Sequence, residues 1–186
     1  MPVQYAGVMF EHRGARETAA VFDTTHMNAT HVRGAGALDA LSMLLTQDLR
    51  SLADGRCRYG FLLRDDGGIL DDLIAYRFSA DRWMLVVNAG TAEDDFAWLN
   101  NHIDAACGVV LEDLRAVTGK LDVQGPASVE IVRGIFGEHA VAMKRFAFSS
   151  IDWNGAGLIV SRTGYTGEDG FEIYAPLALL PSIWDR

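Results

Sequence analysis

The run Arg58-Tyr-Gly-Phe-Leu-Leu-Arg-Asp-Asp-Gly-Gly-Ile-Leu-Asp-Asp-Leu-Ile-Ala-Tyr-Arg-Phe78 sets the fold class. Residues 58–63 and 73–78 are apolar, aromatic-rich runs, and Asp65-Asp-Gly-Gly68 lies between them. An Asp-Gly pair tolerates the left-handed backbone of a tight turn, so the spacing predicts an antiparallel hairpin. Residues 83–88 follow as a buried strand, and 28–32, 109–111, 116–123, 158–161 and 171–175 read as further strands. Leu38, Leu41, Leu44 and Leu45 recur at three- and four-residue spacing, which predicts an amphipathic helix over 35–49. Thr91 is placed to cap a second helix, with Glu93, Asp94 and Asp95 in its first turn and Phe96, Leu99 and Ile103 facing inward. Shorter helices are expected over 11–20, from Gly125-Pro126, and over 177–186, while 22–27 is irregular or opens a strand. Strands adjacent in sequence, mixed with helices, favour an α+β fold with mixed, largely antiparallel sheets and flanking helices over a doubly wound one.

The bulk properties narrow the function. At 186 residues, with 49% hydrophobic residues, the chain suits one soluble globular domain. Its net charge of −9 disfavours a nucleic-acid partner bound through phosphate. No window has the uninterrupted apolar length of a transmembrane helix, and the first residues show no secretion signal, so no membrane role is expected. Cys57 and Cys107 are isolated and suit a reducing cytoplasm.

Two acidic, glycine-bordered clusters stand out. In Gly67-Gly-Ile-Leu-Asp-Asp-Leu-Ile74, side chains alternate along a strand, so Asp71 and Asp72 point to opposite faces and one points inward. The competing reading leaves both acids in a turn facing water. The second cluster is Arg162-Thr-Gly-Tyr-Thr-Gly-Glu-Asp-Gly-Phe-Glu172, with glycines at 164, 167 and 170. Glycines let the backbone bend sharply and approach a ligand closely, though the bare pattern also fits a surface turn. Asp65, Asp66, Asp71 and Asp72 do not match a calcium loop, the histidines are scattered, and no serine-nucleophile, Walker or dinucleotide motif occurs. Carboxylates with Tyr59 and Tyr165 nearby suit a flat heterocycle, stacked on its face and hydrogen-bonded at its edge.

Taken together, Met1-Pro-Val-Gln-Tyr5, Phe22-Asp-Thr-Thr-His-Met27, Asp54-Gly-Arg-Cys-Arg-Tyr59, the Gly67–Ile74 run, Val86-Val-Asn-Ala89, Gln124-Gly-Pro126 and the Arg162–Glu172 run resemble the glycine cleavage T-protein family. The resemblance implies a folate-binding domain of the aminomethyltransferase type over 1–186. It implies tetrahydrofolate as co-substrate, no metal, and the lipoylated H-protein as partner. An aminomethyl group carried on the lipoyl arm loses ammonia, and its one-carbon unit passes to give 5,10-methylene-tetrahydrofolate. Asp72 matches the essential aspartate near N10. Tyr59, Tyr165 and Glu172 match positions around the folate, with Glu172 at the pterin edge. Asn88 matches a cavity-lining position, and Tyr76 falls two positions of alternation beyond Asp72 in the matched strand.

Relative to that family the sequence is expected to be shortened at both ends and to lack the C-terminal β-domain and the arginine segment that meets the folate tail. That implies weaker folate binding and reduced turnover. Phe22-Asp-Thr-Thr-His26 and Phe10 also depart from the family pattern. The alternatives are a non-catalytic folate-binding module, a related folate-dependent demethylase or dimethylglycine-type transferase, and a structural domain in which the glycine run is only a turn.

Overall fold

The computed structural model describes residues 4–104 and 107–186, so Met1-Pro-Val of the first family stretch lies outside the described residues. The chain folds as two compact units, one made of 1–25 and 119–186 and the other of 26–118. Each has its own hydrophobic core.

In the 26–118 unit, β2 (Asn28–Arg33), β3 (Arg56–Leu63), β4 (Ile69–Ser79), β5 (Arg82–Val87) and β6 (Val110–Asp113) form one sheet in the order β3-β4-β5-β2-β6. All four neighbouring pairs are antiparallel. The expected hairpin is β3–β4, with Phe61 opposite Asp72 and Tyr59 opposite Ile74. Leu73, Ala75, Trp83, Leu85 and Val87 turn one face toward Ala37 and Leu41 of α2 (Ala37–Leu44) and Ala92 and Leu99 of α3 (Ala92–His102).

Helix α2 is shorter than its leucine spacing predicts. Leu45 is extended and bridges to Leu62. Thr46 then holds β3 from both sides, its N–H donating to the Phe61 carbonyl and its hydroxyl accepting from the Phe61 N–H. Leu49 and Leu52 still enter the core, from irregular backbone. The inward face of α3 also differs from the expected one. Ala92, Asp95 and Leu99 are buried, Trp98 and Ile103 pack on the core, and Phe96 is only half-buried. Thr91 does not cap the helix through its side chain; its hydroxyl donates to the Asn88 carbonyl.

In the other unit, β1 (Ala20–Asp23), β7 (Thr118–Gln124), β8 (Phe148–Trp153), β9 (Ala156–Ser161) and β10 (Gly170–Pro176) lie in the order β1-β7-β10-β9-β8. The pairs β1–β7, β9–β10 and β8–β9 are antiparallel. Strand β8 goes beyond the expected set. Its turn is Asn154-Gly155, with φ of 55° and 81°, the left-handed pair that two-residue hairpins favour. Helix α1 is Val8–Glu17, displaced toward the N-terminus because the Glu11 carboxylate accepts the N–H groups of Tyr5, Ala6 and Gly7. These bonds to Tyr5 and Ala6 hold the Glu11 pKa below the ordinary glutamate value. Helices α4 (Ser128–Phe136), α5 (Glu138–Val141) and α6 (Leu180–Trp184) complete the unit, with a 3-10 turn at Leu177–Leu179.

Strict alternation organises this second sheet. Leu121 and Val123 of β7 and Phe171, Ile173 and Ala175 of β10 enter the core. Lys120, Asp122, Gln124, Glu172 and Tyr174 take the alternate positions, and all five are buried too.

Candidate functional site

In the 26–118 unit, Tyr59, Asp72 and Tyr76 lie on the sheet face opposite the helices, as the β3–β4 register requires. Asp72 is exposed and Tyr59 is half-exposed, while Tyr76 is fully buried. The inward acid of the pair is therefore Asp71, which is 6% exposed. Asn88, just past β5, binds both. Its N–H donates to Asp71 Oδ2 at 2.9 Å and its Nδ2 to Asp71 Oδ1 at 2.8 Å. The same Nδ2 reaches the Asp72 carbonyl at 3.2 Å and Asp72 Oδ1 at 3.0 Å. Acceptors on every side fix which end of the Asn88 amide is nitrogen. Desolvation, then the Asp72 carboxylate beside it, raises the Tyr59 pKa. A carboxylate offers about four acceptor positions, so Asp72 keeps acceptor capacity for a ligand N–H.

In the other unit, Tyr165 is 60% exposed and stands edge-on to Phe22, with ring centres 5.9 Å apart. Glu172 is buried in a charged cluster. Its Oε1 lies 2.8 Å from Lys120 Nζ, and its Oε2 accepts from Thr163 Oγ1 at 2.6 Å and from the Tyr174 hydroxyl at 3.0 Å. Lys120 also lies 3.2 Å from Asp122 Oδ1, and Thr24 donates to Asp122 Oδ2 at 3.0 Å. Burial above all, opposed by Lys120 and reinforced by Glu172, pushes the Asp122 pKa up to about 7. Burial works against the charge on Lys120, but Glu172 and Asp122 outweigh it and its pKa stands above the ordinary value. Partial burial, followed by the Asp122 charge, raises the pKa of Tyr165, which places that ring within the field of the cluster. Sequence reasoning missed Lys120 and Asp122, because Lys120-Leu-Asp-Val-Gln124 reads as a strand with a solvated polar face.

The glycine run owes its shape to Gln124. The buried Gln124 amide donates from Nε2 to the Thr163 carbonyl, and its Oε1 accepts from Thr166 Oγ1. A Cβ on Gly164 or Gly170 would come within 2.0 or 2.3 Å of Gln124 Oε1. Gly167 supplies the positive φ of 84° at the loop tip. Arg162 grips Asp169 through Nε and Nη2 and the Met143 carbonyl through Nη1. Two of the three glycines thus make room for an internal side chain. Gly170→Ala is expected to lower stability by about 1–3 kcal/mol through overpacking. Adding Gln124→Ala should cost less in that background than in the wild type, as a double-mutant cycle of urea midpoints would show.

Among the described residues no cluster of three or more His, Cys, Asp or Glu is arranged to hold a metal ion. None of the described helices is long and apolar enough to cross a membrane.

The sheets and acid clusters place the chain among α+β proteins that present carboxylates and tyrosines from sheet faces and strand ends. The family model of the GCVT N-terminal domain matches residues 1–186, and the chain belongs to that family. It is 43% identical over 185 residues to an aminomethyltransferase of Chlorobaculum parvum, covering 99% of this chain and 51% of the relative. The crystal structure of glycine cleavage system aminomethyltransferase T from Bartonella henselae superposes with a TM-score of 0.91 at 34% identity, over 100% of this chain and 50% of that one. A heterotetrameric sarcosine oxidase from Corynebacterium sp. U-96 shares the fold, with a TM-score of 0.62 at 14% identity over 88% of this chain and 78% of its own. The chain spans about half the length of the curated relatives it matches.

Proposed function

We propose that residues 1–186 are the folate-binding part of a cytoplasmic aminomethyltransferase of the glycine cleavage system. It takes a one-carbon unit from the aminomethyl-lipoyl arm of the H-protein, with loss of ammonia. The observation that carries this reading is Asp72: an exposed carboxylate, held by Asn88 beside a half-exposed tyrosine, in a chain of this family. Tetrahydrofolate supplies the nucleophilic nitrogen that takes up the carbon and the second nitrogen that closes the ring.

The donor set suits such a molecule. Asp72 accepts an N–H and stabilises positive charge developing near it. Asn88 fixes the direction of that carboxylate. Tyr59 offers a ring face, and the buried Tyr76 backs the face that carries Asp72. In the other unit, Tyr165 offers a ring face, and Glu172 is the acid whose family match is to the pterin edge, its orientation set by Lys120, Thr163 and Tyr174.

Intrinsic-fluorescence titration with tetrahydrofolate tests the reading, followed by an assay with aminomethylated H-protein. Saturable binding is expected, with thermal protection worth about 2.7 kcal/mol at a hundredfold excess over Kd. Binding without turnover would make the chain a non-catalytic folate module. No binding and no protection would overturn the reading.

A further inference from the structure

Tyr165 and Thr166 form the tip of a loop with a glycine on either side, Gly164 and Gly167. Glycines widen the range of conformations open to the chain, so a tip built this way needs outside contacts to stay in one of them. Both ends of the loop are tied down. The Thr163 carbonyl accepts from Gln124 Nε2 at 3.1 Å, and the Asp169 carbonyl accepts from the Gly125 N–H at 2.8 Å and from Ser128 Oγ at 3.1 Å. The tip is gripped from α1, by Arg16 in its last turn. Arg16 Nη1 donates to the Thr166 carbonyl and, at 3.0 Å, to Glu168 Oε1. The end of α1 is itself firmly seated. The carbonyl of its C-cap residue Thr18 accepts the Ala127 N–H at 2.8 Å, and a Cβ on Gly125 would come within 2.6 Å of that carbonyl and 2.8 Å of the Ala15 carbonyl. The ion pair is exposed, 42% for the Arg16 side chain and 29% for Glu168, so it adds little to global stability. Its consequence is local.

We propose that Arg16 is a positioning residue for Tyr165: by fastening the Thr166 carbonyl and the Glu168 carboxylate to α1, it keeps the Tyr165 ring against Phe22 and ready for a ligand. The inference rests on reading Tyr165 as a ligand-facing ring. Its ring centre lies 5.9 Å from that of Phe22 at an interplanar angle of 62°, an edge contact that leaves Tyr165 60% exposed. Phe22 is fixed in turn by β1, where it pairs with Asp122 of β7. The carbonyl that Arg16 holds is one residue beyond Tyr165 and borders Gly167, whose φ of 84° sets the bend of the tip. Without Arg16 the tip samples other bends. A ligand that stacks on the ring must then order it, and loses affinity by that amount. Both contacts come from one nitrogen, so a lysine ammonium can stand in for much of the guanidinium. Methionine keeps the aliphatic stem and removes both bonds.

Fluorine-19 NMR of the chain labelled with 3-fluorotyrosine, recorded without ligand, tests the contact. The chain has five tyrosines, and Tyr165→Phe assigns the signal of interest. In the otherwise wild-type protein, Phe22→Leu should shift that signal. In Arg16→Met the signal should move toward that of a solvated tyrosine, and Phe22→Leu should no longer shift it. Arg16→Lys should restore most of the wild-type position. Urea midpoints of the two Arg16 variants should stay close to wild type. Tetrahydrofolate affinity should fall about three- to tenfold in Arg16→Met, the range for losing one aromatic contact. Arg16→Met should cost nothing further in a Tyr165→Ala background, because Arg16 acts through that ring. A Tyr165 signal indifferent to Arg16→Met would overturn the proposal, as would the same affinity loss with and without Tyr165. So would a large fall in the urea midpoint of Arg16→Met that Arg16→Lys does not reverse, which would make the residue structural. If the wild type bound no tetrahydrofolate, the functional reading would fall, while the ligand-free spectra would still decide the role of Arg16.

Discussion

Asp72→Asn is expected to leave the fold intact and to reduce aminomethyl transfer by about 10²–10⁴-fold, the range for removing a charge-stabilising or proton-transferring group. The side chain is exposed, so its loss should move stability by no more than about 0.5 kcal/mol. An amide has one acceptor oxygen, and its NH₂ would confront either Asn88 Nδ2 or the ligand N–H. Asp71→Asn should fail in another way. Both Asp71 oxygens accept from Asn88, so an amide nitrogen in place of either one sets donor against donor in a buried site. That costs about 1–3 kcal/mol. Urea midpoints and transfer rates measured together separate the neighbours: one variant folded and inactive, the other destabilised. Equal losses of turnover at equal stability would undo the division of roles.

Much of this was legible in the sequence because the decisive signals are local. The Asp-Gly turn and the alternation on either side of it are enough to specify β3–β4, and with it the opposite directions of Asp71 and Asp72. Which acid points inward was not legible, because that depends on which face α2 and α3 cover. The leucines over 38–52 report burial rather than conformation. Leu49 and Leu52 reach the core without a helix because Thr46 leaves α2 to bind the edge of β3. Helical periodicity also assumes that inward positions are apolar, so it put Phe96 where Asp95 is. The glycine run leaves close approach to a ligand and a plain turn both open, and the Gln124 side chain that explains two of its glycines comes from forty residues upstream and from another strand. The same limit hid the buried polar face of β7 and β10. Alternation reveals two faces and says nothing of whether the polar one meets water.

That buried face supports the second large effect. Lys120→Met is expected to destabilise the protein by about 3–5 kcal/mol, since removing one member of a buried charge cluster strands the others. Lys120, Asp122 and Glu172 are each at most 4% exposed, so water cannot replace the ammonium. Asp122 would then hold its proton to still higher pH, having lost the Lys120 charge that opposes the desolvation. The sign follows. Because the folded pKa of Asp122 lies above its unfolded value, the folded wild type binds the extra proton between about pH 4 and 7 and loses that group's contribution across the window. In Lys120→Met the window should extend upward, so the variant should be closest to wild type in mild acid and furthest from it above neutrality. Lys120→Met/Glu172→Gln should recover part of the loss by removing one stranded charge, and the coupling between the two changes should be large. Urea unfolding at several pH values reads all of this. A Lys120→Met protein as stable as wild type at every pH would mean that the cluster is hydrated in solution, and the fixed orientation assigned to Glu172 would lose its basis.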